Sequence, residues 1–158
     1  MKKINVFDLD GTLADSTHRY RLIDNEKRID LPHWRENSTP LKIIADKPIQ
    51  DMIKKYNDSL SDPHAITVIA TARIFDHASM VWLLENTDGR PDHISSRIDE
   101  DDQRSGNSIK GEFIKALRST LGIFHAVFFT DDNINYLRQF KITIPDATVI
   151  YKPSDQGY

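Results

Sequence analysis

The chain has 158 residues, of which 39% are hydrophobic and 28% are charged, and its formal net charge at pH 7 is −3. This balance is typical of a globular protein, and the negative charge argues against a generally basic nucleic-acid-binding surface. The chain has no cysteine, which excludes disulfides and thiolate metal sites and favours a cytoplasmic location. No apolar run approaches the roughly 18 residues of a membrane span, so we expect no membrane partner.

The first apolar run, residues 4–7, predicts a buried strand over 3–8 that leads into Asp8-Leu9-Asp10-Gly11-Thr12-Leu13. Carboxylates at i and i+2 at a strand end lie on the same side of the backbone, roughly 7 Å apart. Gly11 permits a sharp turn after them. At 4 Å the repulsion between two such charges is on the order of 4 kcal/mol. The pattern therefore predicts a cation or a shared proton beside Asp8 and Asp10.

The next stretch, residues 16–47, is less regular and contains several prolines. It predicts a small flap, or minimal cap, after the first strand of a single domain that spans 1–158. Basic side chains follow the first motif on this flap: His18, Arg19 and Arg21. They can guard the mouth of a site or lie in a solvated segment. Trp34 can stack on a base or pack the flap onto the body.

Beyond the flap, apolar runs alternate with helical patterns, which predicts an α/β fold with a Rossmann-like, doubly wound parallel sheet. The predicted strands are 3–8, 65–71, 92–96, 125–130 and 147–151, in the expected spatial order 3-2-1-4-5. Helices are predicted after Pro48, from Phe75, from Ser108 to a stop at Gly122, and over 133–140. Trp82, on the second of these helices, is expected in the core.

Two motifs in the middle of the chain are suited to holding a phosphate. The second predicted strand ends in Thr71-Ala72-Arg73, which brings together a hydroxyl, backbone N–H groups and a guanidinium. Lys110, near the start of a helix, can place an ammonium against the same phosphate. Each motif also has a structural alternative, a helix N-cap for the first and a surface lysine for the second.

The fourth predicted strand ends in a second acidic pair, Asp131-Asp132. In open parallel sheets ligands gather outside the carboxyl ends of the strands. Asp8, Asp10 and this pair therefore face one crevice, and ligands that are all oxygen indicate Mg²⁺. The six histidines are scattered, without zinc-site spacing.

The order strand-Asp-x-Asp-Gly-Thr-Leu, strand-Thr, Lys, strand-Asp-Asp resembles the haloacid dehalogenase-like (HAD) phosphatase superfamily over nearly the whole chain. The resemblance implies that Asp8 is a nucleophile that forms an aspartyl phosphate. It implies that Asp10 is the general acid and then the base, with a pKa well above the ~3.9 of free Asp. It also implies that Thr71 and Lys110 hold the transferring oxygens.

The same resemblance implies a magnesium site. Asp8, the backbone carbonyl of Asp10 and Asp131 would bind Mg²⁺, and Asp132 would support that set. Thr12 matches a superfamily position associated with phosphohydrolases, and we count it among the residues near the substrate.

A closer resemblance concerns the substrate. The triple Thr71-Ala72-Arg73, residues 94–97 and residues 108–112 look like the 3′-phosphatase part of polynucleotide kinase-phosphatases. This implies substrate contacts from Arg73, Arg97 and Arg104. Ala72 stands where that group usually has glycine, and the loop before Lys110 is more acidic than its pattern.

The sequence thus predicts a Mg²⁺-dependent phosphomonoesterase that removes 3′-phosphates from nucleic-acid ends and has no obligate protein partner. One alternative is a 5′-nucleotidase or another small-molecule phosphatase. Another is a catalytically silent binding protein, against which the intact set of motif residues argues.

Overall fold

The computed structural model of the chain describes residues 2–23, 29–122 and 125–154. The strands in these ranges are β1 (Lys3–Phe7), β2 (Ala14–Asp15), β3 (Lys47–Pro48), β4 (Ala65–Ile74), β5 (His93–Arg97), β6 (Ala126–Asp131) and β7 (Thr148–Tyr151). The α-helices are α1 (Leu31–Asn37), α2 (Pro40–Ile44), α3 (Gln50–Ser61), α4 (His77–Asn86), α5 (Gly106–Leu121) and α6 (Ile134–Thr143), and Thr17–Arg19 forms a 3-10 turn. Among the described residues, no helix combines the length and apolar character that crossing a bilayer requires.

The main sheet has five parallel strands in the order β5-β4-β1-β6-β7. This confirms the predicted α/β fold class and the order 3-2-1-4-5. The register sets Phe7 of the central strand opposite Ile69 of β4 and Thr130 of β6. This register brings to the carboxyl edge of the sheet Asp8, Thr71 and Asp131, which lie one or two residues beyond these positions.

The core lies in two layers, one on each face of the sheet. On one face, Ile4 and Val6 of β1 pack with Phe140 and other side chains of α5 and α6. On the other face, Phe7 packs with α3 and α4, including Trp82. The alternation along β1 follows the two-residue period of a strand. Trp82 is 1% exposed, which confirms its predicted place in the core.

Several boundaries differ from the prediction, and two of them lie near the carboxyl edge of the sheet. Strand β4 continues to Ile74, three residues beyond the predicted end, and its register with β5 shifts between Ala70 and Ile74. Such a bulge adds a bend that can re-aim side chains. Helix α5 begins at Gly106, because the hydroxyl of Ser105, rather than that of Ser108, caps it by accepting from the Ser108 N–H.

The flap, residues 16–47, leaves and rejoins the body through a two-stranded antiparallel ribbon. Ala14 of β2 pairs with Pro48 of β3, and Asp15 pairs with Lys47. Pro48 therefore lies in β3, and α3 begins two residues later, at Gln50. Residues 24–28 of the flap lie outside the described ranges. The ribbon places both ends of the flap beside the turn that carries Asp10.

Candidate active site

The turn after β1 aims the first acidic pair out of the sheet. Leu9 is fully buried, and its carbonyl accepts from the N–H groups of Leu13 and Ala14. Gly11 has φ 84°, a conformation that residues with a Cβ rarely adopt. The predicted role of this glycine in a sharp turn is confirmed. Asp8 and Asp10 consequently project from the sheet edge, where they meet different partners.

Asp8, Asp131 and Asp132 form a buried group that we call the carboxylate cluster. One oxygen of each lies within 4.8 Å of the others. Lys110 bridges two of them, because its Nζ donates to Asp8 Oδ1 and to Asp131 Oδ2, each at 2.6 Å. The ring of Tyr136 lies 4.2 Å from the same Nζ. The sheet edge and α5 thus bring together three of the predicted motifs, those that contain Asp8, Lys110 and Asp131-Asp132.

The charges of this cluster do not balance on their own. Three carboxylates against one ammonium leave two excess negative charges when all are ionised. Burial accordingly raises the pKa of Asp8 to about 7, of Asp132 to about 7 and of Asp131 to about 6. Burial alone would lower the pKa of Lys110, but the carboxylates of Asp131 and Asp8 outweigh that effect and raise it.

This donor set fits a hard divalent cation. It consists of carboxylate oxygens alone, without histidine or cysteine, and a charge of +2 equals the excess that the cluster carries. The Asp10 carboxylate is not in the cluster. A ligand from Asp10 would be its backbone carbonyl, as the family resemblance implies.

Asp10 is held by two arginines. Its Oδ2 accepts from Arg73 Nε at 2.7 Å, and its Oδ1 accepts from Arg19 Nη2 at 2.7 Å. Burial tends to raise the pKa of Asp10, but the guanidinium groups of Arg73 and Arg19 outweigh it and hold the pKa below its usual range. The expectation of a raised pKa for Asp10 was therefore wrong for the free protein, because cations rather than apolar groups surround this carboxyl.

The sequence did not indicate that Arg19 is buried in the site and contacts Asp10. Its side chain is fully buried, not solvated, and makes a bidentate pair with Asp46 at 2.9 and 2.6 Å. Its guanidinium also donates to Ser38 and lies 4.5 Å from the centre of the Trp34 ring. Asp46 is 27 positions away, at the far end of the flap, so no local sequence pattern predicts this ion pair.

A cavity of about 860 Å³ opens above the cluster. Its floor includes the carboxylate cluster, Lys110 and Thr71, which is buried in the β4 bulge. Its side is formed by the flap, whose contributing side chains include Tyr20, Leu31 and Trp34. We call these three residues the flap wall. The buried hydroxyl oxygen of Tyr20 has no hydrogen-bond partner among the described residues.

The predicted substrate contacts divide into two groups. Arg73 and Arg97 line the cavity, although Arg97 donates to the carbonyls of Ala72 and Arg104. Arg104 pairs with Asp102 at 2.5 Å and does not reach the cavity wall. Thr12 is fully buried away from the wall. The structure therefore does not bring Thr12 and Arg104 to the cavity with the other predicted residues.

Comparison with solved structures defines the class of fold. The chain aligns over 98% of its length with 44% of a chain in the Pnkp1/Rnl/Hen1 RNA repair complex, with a TM-score of 0.62 and 16% identity. It also aligns over 99% of its length with 88% of the HAD domain of the effector protein Lem4 from Legionella pneumophila, with a TM-score of 0.56 and 16% identity. The fold is that of HAD domains, which confirms the resemblance drawn from the motifs.

The family follows from the sequence comparison. The model of the Bacteriophage T5 5′-deoxynucleotidase family matches residues 1–100, well over half of the chain, and the chain belongs to that family. The 5′-deoxynucleotidase of Escherichia phage T5 is 23% identical over 84 residues, which are 52% of this chain and 34% of the phage protein. The chain thus spans about a third of that relative. The family is one of 5′-deoxynucleotidases, which are phosphoric monoester hydrolases.

Proposed function

We propose that the protein is a Mg²⁺-dependent phosphomonoesterase that hydrolyses nucleoside 5′-monophosphates. The observation that carries this proposal is the floor of the cavity, where the carboxylate cluster surrounds the Lys110 ammonium beneath a wall formed by the flap. Asp8, Asp131 and Asp132 would hold the Mg²⁺. When bound, the metal would neutralise charge on the substrate phosphate and on the cluster.

The chain's own residues supply the two steps. A carboxylate oxygen of Asp8 forms a bond to phosphorus while the bond from phosphorus to the ester oxygen breaks, and Asp10 gives that oxygen a proton. Water then attacks the aspartyl phosphate, Asp10 takes its proton, and Asp8 is regenerated with release of phosphate. Lys110 and Thr71 orient the transferring oxygens.

The pairing of Asp10 with arginines suits this cycle. In the free protein Asp10 is held ionised, the form that a base requires. A bound phosphate brings negative charge close to Asp10, which raises the pKa of its carboxyl, and it offers Arg73 a competing acceptor. Substrate binding itself would therefore prepare Asp10 to carry the proton that the leaving oxygen needs.

The rim of the cavity favours a mononucleotide over a nucleic-acid strand. A groove that follows a phosphate backbone needs an excess of positive charge. Outside the floor and Asp10, the charged residues that line the cavity within the described ranges are three arginines and three acids, Arg35, Arg73, Arg97, Asp76, Glu100 and Asp102, so they carry no positive excess. The Arg97 guanidinium is also engaged by backbone carbonyls. The family match to a 5′-deoxynucleotidase supports the same preference.

Removal of 3′-phosphates from nucleic-acid ends, the first prediction from the sequence, is the second candidate. It is supported by the polynucleotide 3′-phosphatase resemblance of the motifs and by the fold shared with a chain of an RNA repair complex. A strand could place only its terminal nucleotide in the cavity.

The test is a comparison of substrates with and without metal. Deoxynucleoside 5′-monophosphates should be hydrolysed with a higher kcat/KM than 3′-phosphorylated oligonucleotides, and a chelator should remove the activity until Mg²⁺ is added back. If the oligonucleotide is the better substrate and its advantage falls as salt is raised, the second candidate is correct. Absence of metal-dependent release of phosphate from every substrate would refute both.

A further inference from the structure

The flap wall exposes apolar surface toward the cavity. Leu31 is 51% exposed although it is a large aliphatic residue, and Trp34 is half-buried beside it. The cavity thus has a charged floor suited to phosphate and, on the flap wall, apolar surface from Leu31 and Trp34. A volume of about 860 Å³ lies within the ~300–1,000 Å³ range of small-molecule sites.

Trp34 and Asp10 are linked through the guanidinium of Arg19. Its ring lies 4.5 Å from the Arg19 guanidinium, and Arg19 donates to Asp10 at 2.7 Å. Since Asp10 is the residue that faces the leaving oxygen in the proposed mechanism, a single guanidinium group separates that position from the indole. In a nucleoside 5′-monophosphate, a single sugar separates the ester oxygen from the base.

Tyr20 supplies a second, independent observation. Its hydroxyl oxygen is buried and lacks a hydrogen-bond partner among the described residues, while its side chain lines the cavity. Leaving a buried hydroxyl unpaired costs free energy, so this group is free to donate to a ligand or a water in the cavity. Tyr20 and Asp132 of the floor line the same cavity.

We infer that the flap wall binds the nucleoside of a nucleoside 5′-monophosphate. The base lies against Trp34 and Leu31, and the Tyr20 hydroxyl donates to an oxygen of the sugar or phosphate. This inference rests on the proposed function and adds the residues that recognise the nucleoside.

Two substrates test the inference, one with a base and one without. These are 2′-deoxyadenosine 5′-monophosphate and 2-deoxyribose 5-phosphate. Trp34→Ala should lower kcat/KM for the nucleotide by about 5- to 150-fold, the fold-change that corresponds to one base–aromatic stack. It should slow hydrolysis of the sugar phosphate by a much smaller factor, and Trp34→Phe should retain most of the nucleotide preference.

The outcome separates base binding from a structural role for the indole. If Trp34 only holds Arg19 in place, Trp34→Ala will slow both substrates by the same factor, and the inference falls. Leu31→Ser should weaken only the nucleotide reaction. Leu41→Ser is its matched control, because Leu41 is 83% exposed and does not line the cavity. Tyr20→Phe should slow both substrates, since both carry the sugar and phosphate.

A binding measurement keeps the inference testable without turnover. The chain has two tryptophans, and Trp82 is 1% exposed in the core. In the Asp8→Asn variant, 2′-deoxyadenosine 5′-monophosphate should quench fluorescence, the signal should survive Trp82→Phe, and it should disappear with Trp34→Phe. Quenching, when the unmodified protein has no phosphatase activity, would refute the proposed function and support nucleoside binding by the flap wall. Phosphatase activity without quenching would support the proposed function and refute nucleoside binding by the flap wall.

Discussion

The floor of the cavity and the flap beside it are built in different ways. The register of one parallel sheet brings together Asp8, Thr71 and Asp131, which lie at or near the carboxyl ends of neighbouring strands, and Lys110 joins them from α5. Within the flap, the buried guanidinium of Arg19 joins Asp46 to Asp10, across a long separation in sequence. The position of the floor thus follows from backbone topology, whereas the position of the flap over it depends on a few long-range pairs.

The largest expected effect comes from the floor itself. Asp8→Asn should abolish turnover of an aryl phosphate in the presence of Mg²⁺, because an amide cannot form the acyl phosphate and is a poorer metal ligand. Release of inorganic phosphate measures it, and a thermal melt shows that the variant is folded. Full activity in this variant would break the assignment of the floor to covalent chemistry.

Asp10→Asn should lower turnover less than Asp8→Asn, and it tests whether the two acids of the first motif have different roles. We expect a loss of roughly 10²–10⁴ in kcat, the usual contribution of a positioned acid or base. The loss should be smaller for an aryl phosphate than for an alkyl phosphate, because a good leaving group needs less protonation. Equal losses for the two would assign Asp10 another role.

Replacing Arg19 tests the attachment of the flap. Arg19→Met should destabilise the protein by about 3–5 kcal/mol, because the buried carboxylate of Asp46 loses its partner. It should also lower kcat, since Asp10 loses one of its two guanidinium partners. Denaturant unfolding and steady-state kinetics measure the two effects. Arg21→Met is the matched control, because the Arg21 side chain is 62% exposed, and it should change neither quantity.

The smallest expected effect is a dependence of stability on pH in the metal-free protein. The folded protein raises the pKa of Asp8 and Asp132 to about 7 and of Asp131 to about 6, so between about pH 4 and 7 it binds more protons than the unfolded chain. Its stability should therefore fall as pH rises through that window. Carboxyls with lowered pKa values titrate below it.

Melting temperatures measured from pH 5 to pH 8 in a chelator check this expectation. Asp132→Asn should flatten the dependence by removing one of the raised groups. Saturating Mg²⁺ should stabilise the protein most at the alkaline end, where the ligands are ionised. A metal-free protein that gains stability toward pH 8 would show that the three carboxyls are not held together as described.

The floor was predictable because its residues obey local rules. A strand that ends in Asp8-Leu9-Asp10-Gly11 fixes the direction of two side chains, and parallel strands place their ends at one edge. The position of Lys110 against Asp8 and Asp131 follows the predicted order of motifs. The bulge that holds Thr71 was not predicted, because a register shift depends on the neighbouring strand.

The flap could be predicted only as an irregular insert. Arg19 is surrounded in sequence by other polar residues, so its pattern is that of a solvated turn, yet a carboxylate 27 positions away buries it. For the same reason, the sequence did not predict that Asp10 pairs with Arg19 and Arg73. A pKa depends on which charges lie within a few ångströms, and those charges come from distant parts of the chain.

The two-stranded ribbon at the base of the flap makes this segment exchangeable. Because Ala14 pairs with Pro48 and Asp15 with Lys47, the insert starts and ends at neighbouring points. Lengthening a loop between fixed ends costs little, about 0.6 kcal/mol for each doubling of its length. Relatives could thus acquire new substrates by replacing the segment between the two strands, provided that the replacement supplies partners for Asp10, while the sheet and its hydrolytic chemistry are inherited unchanged.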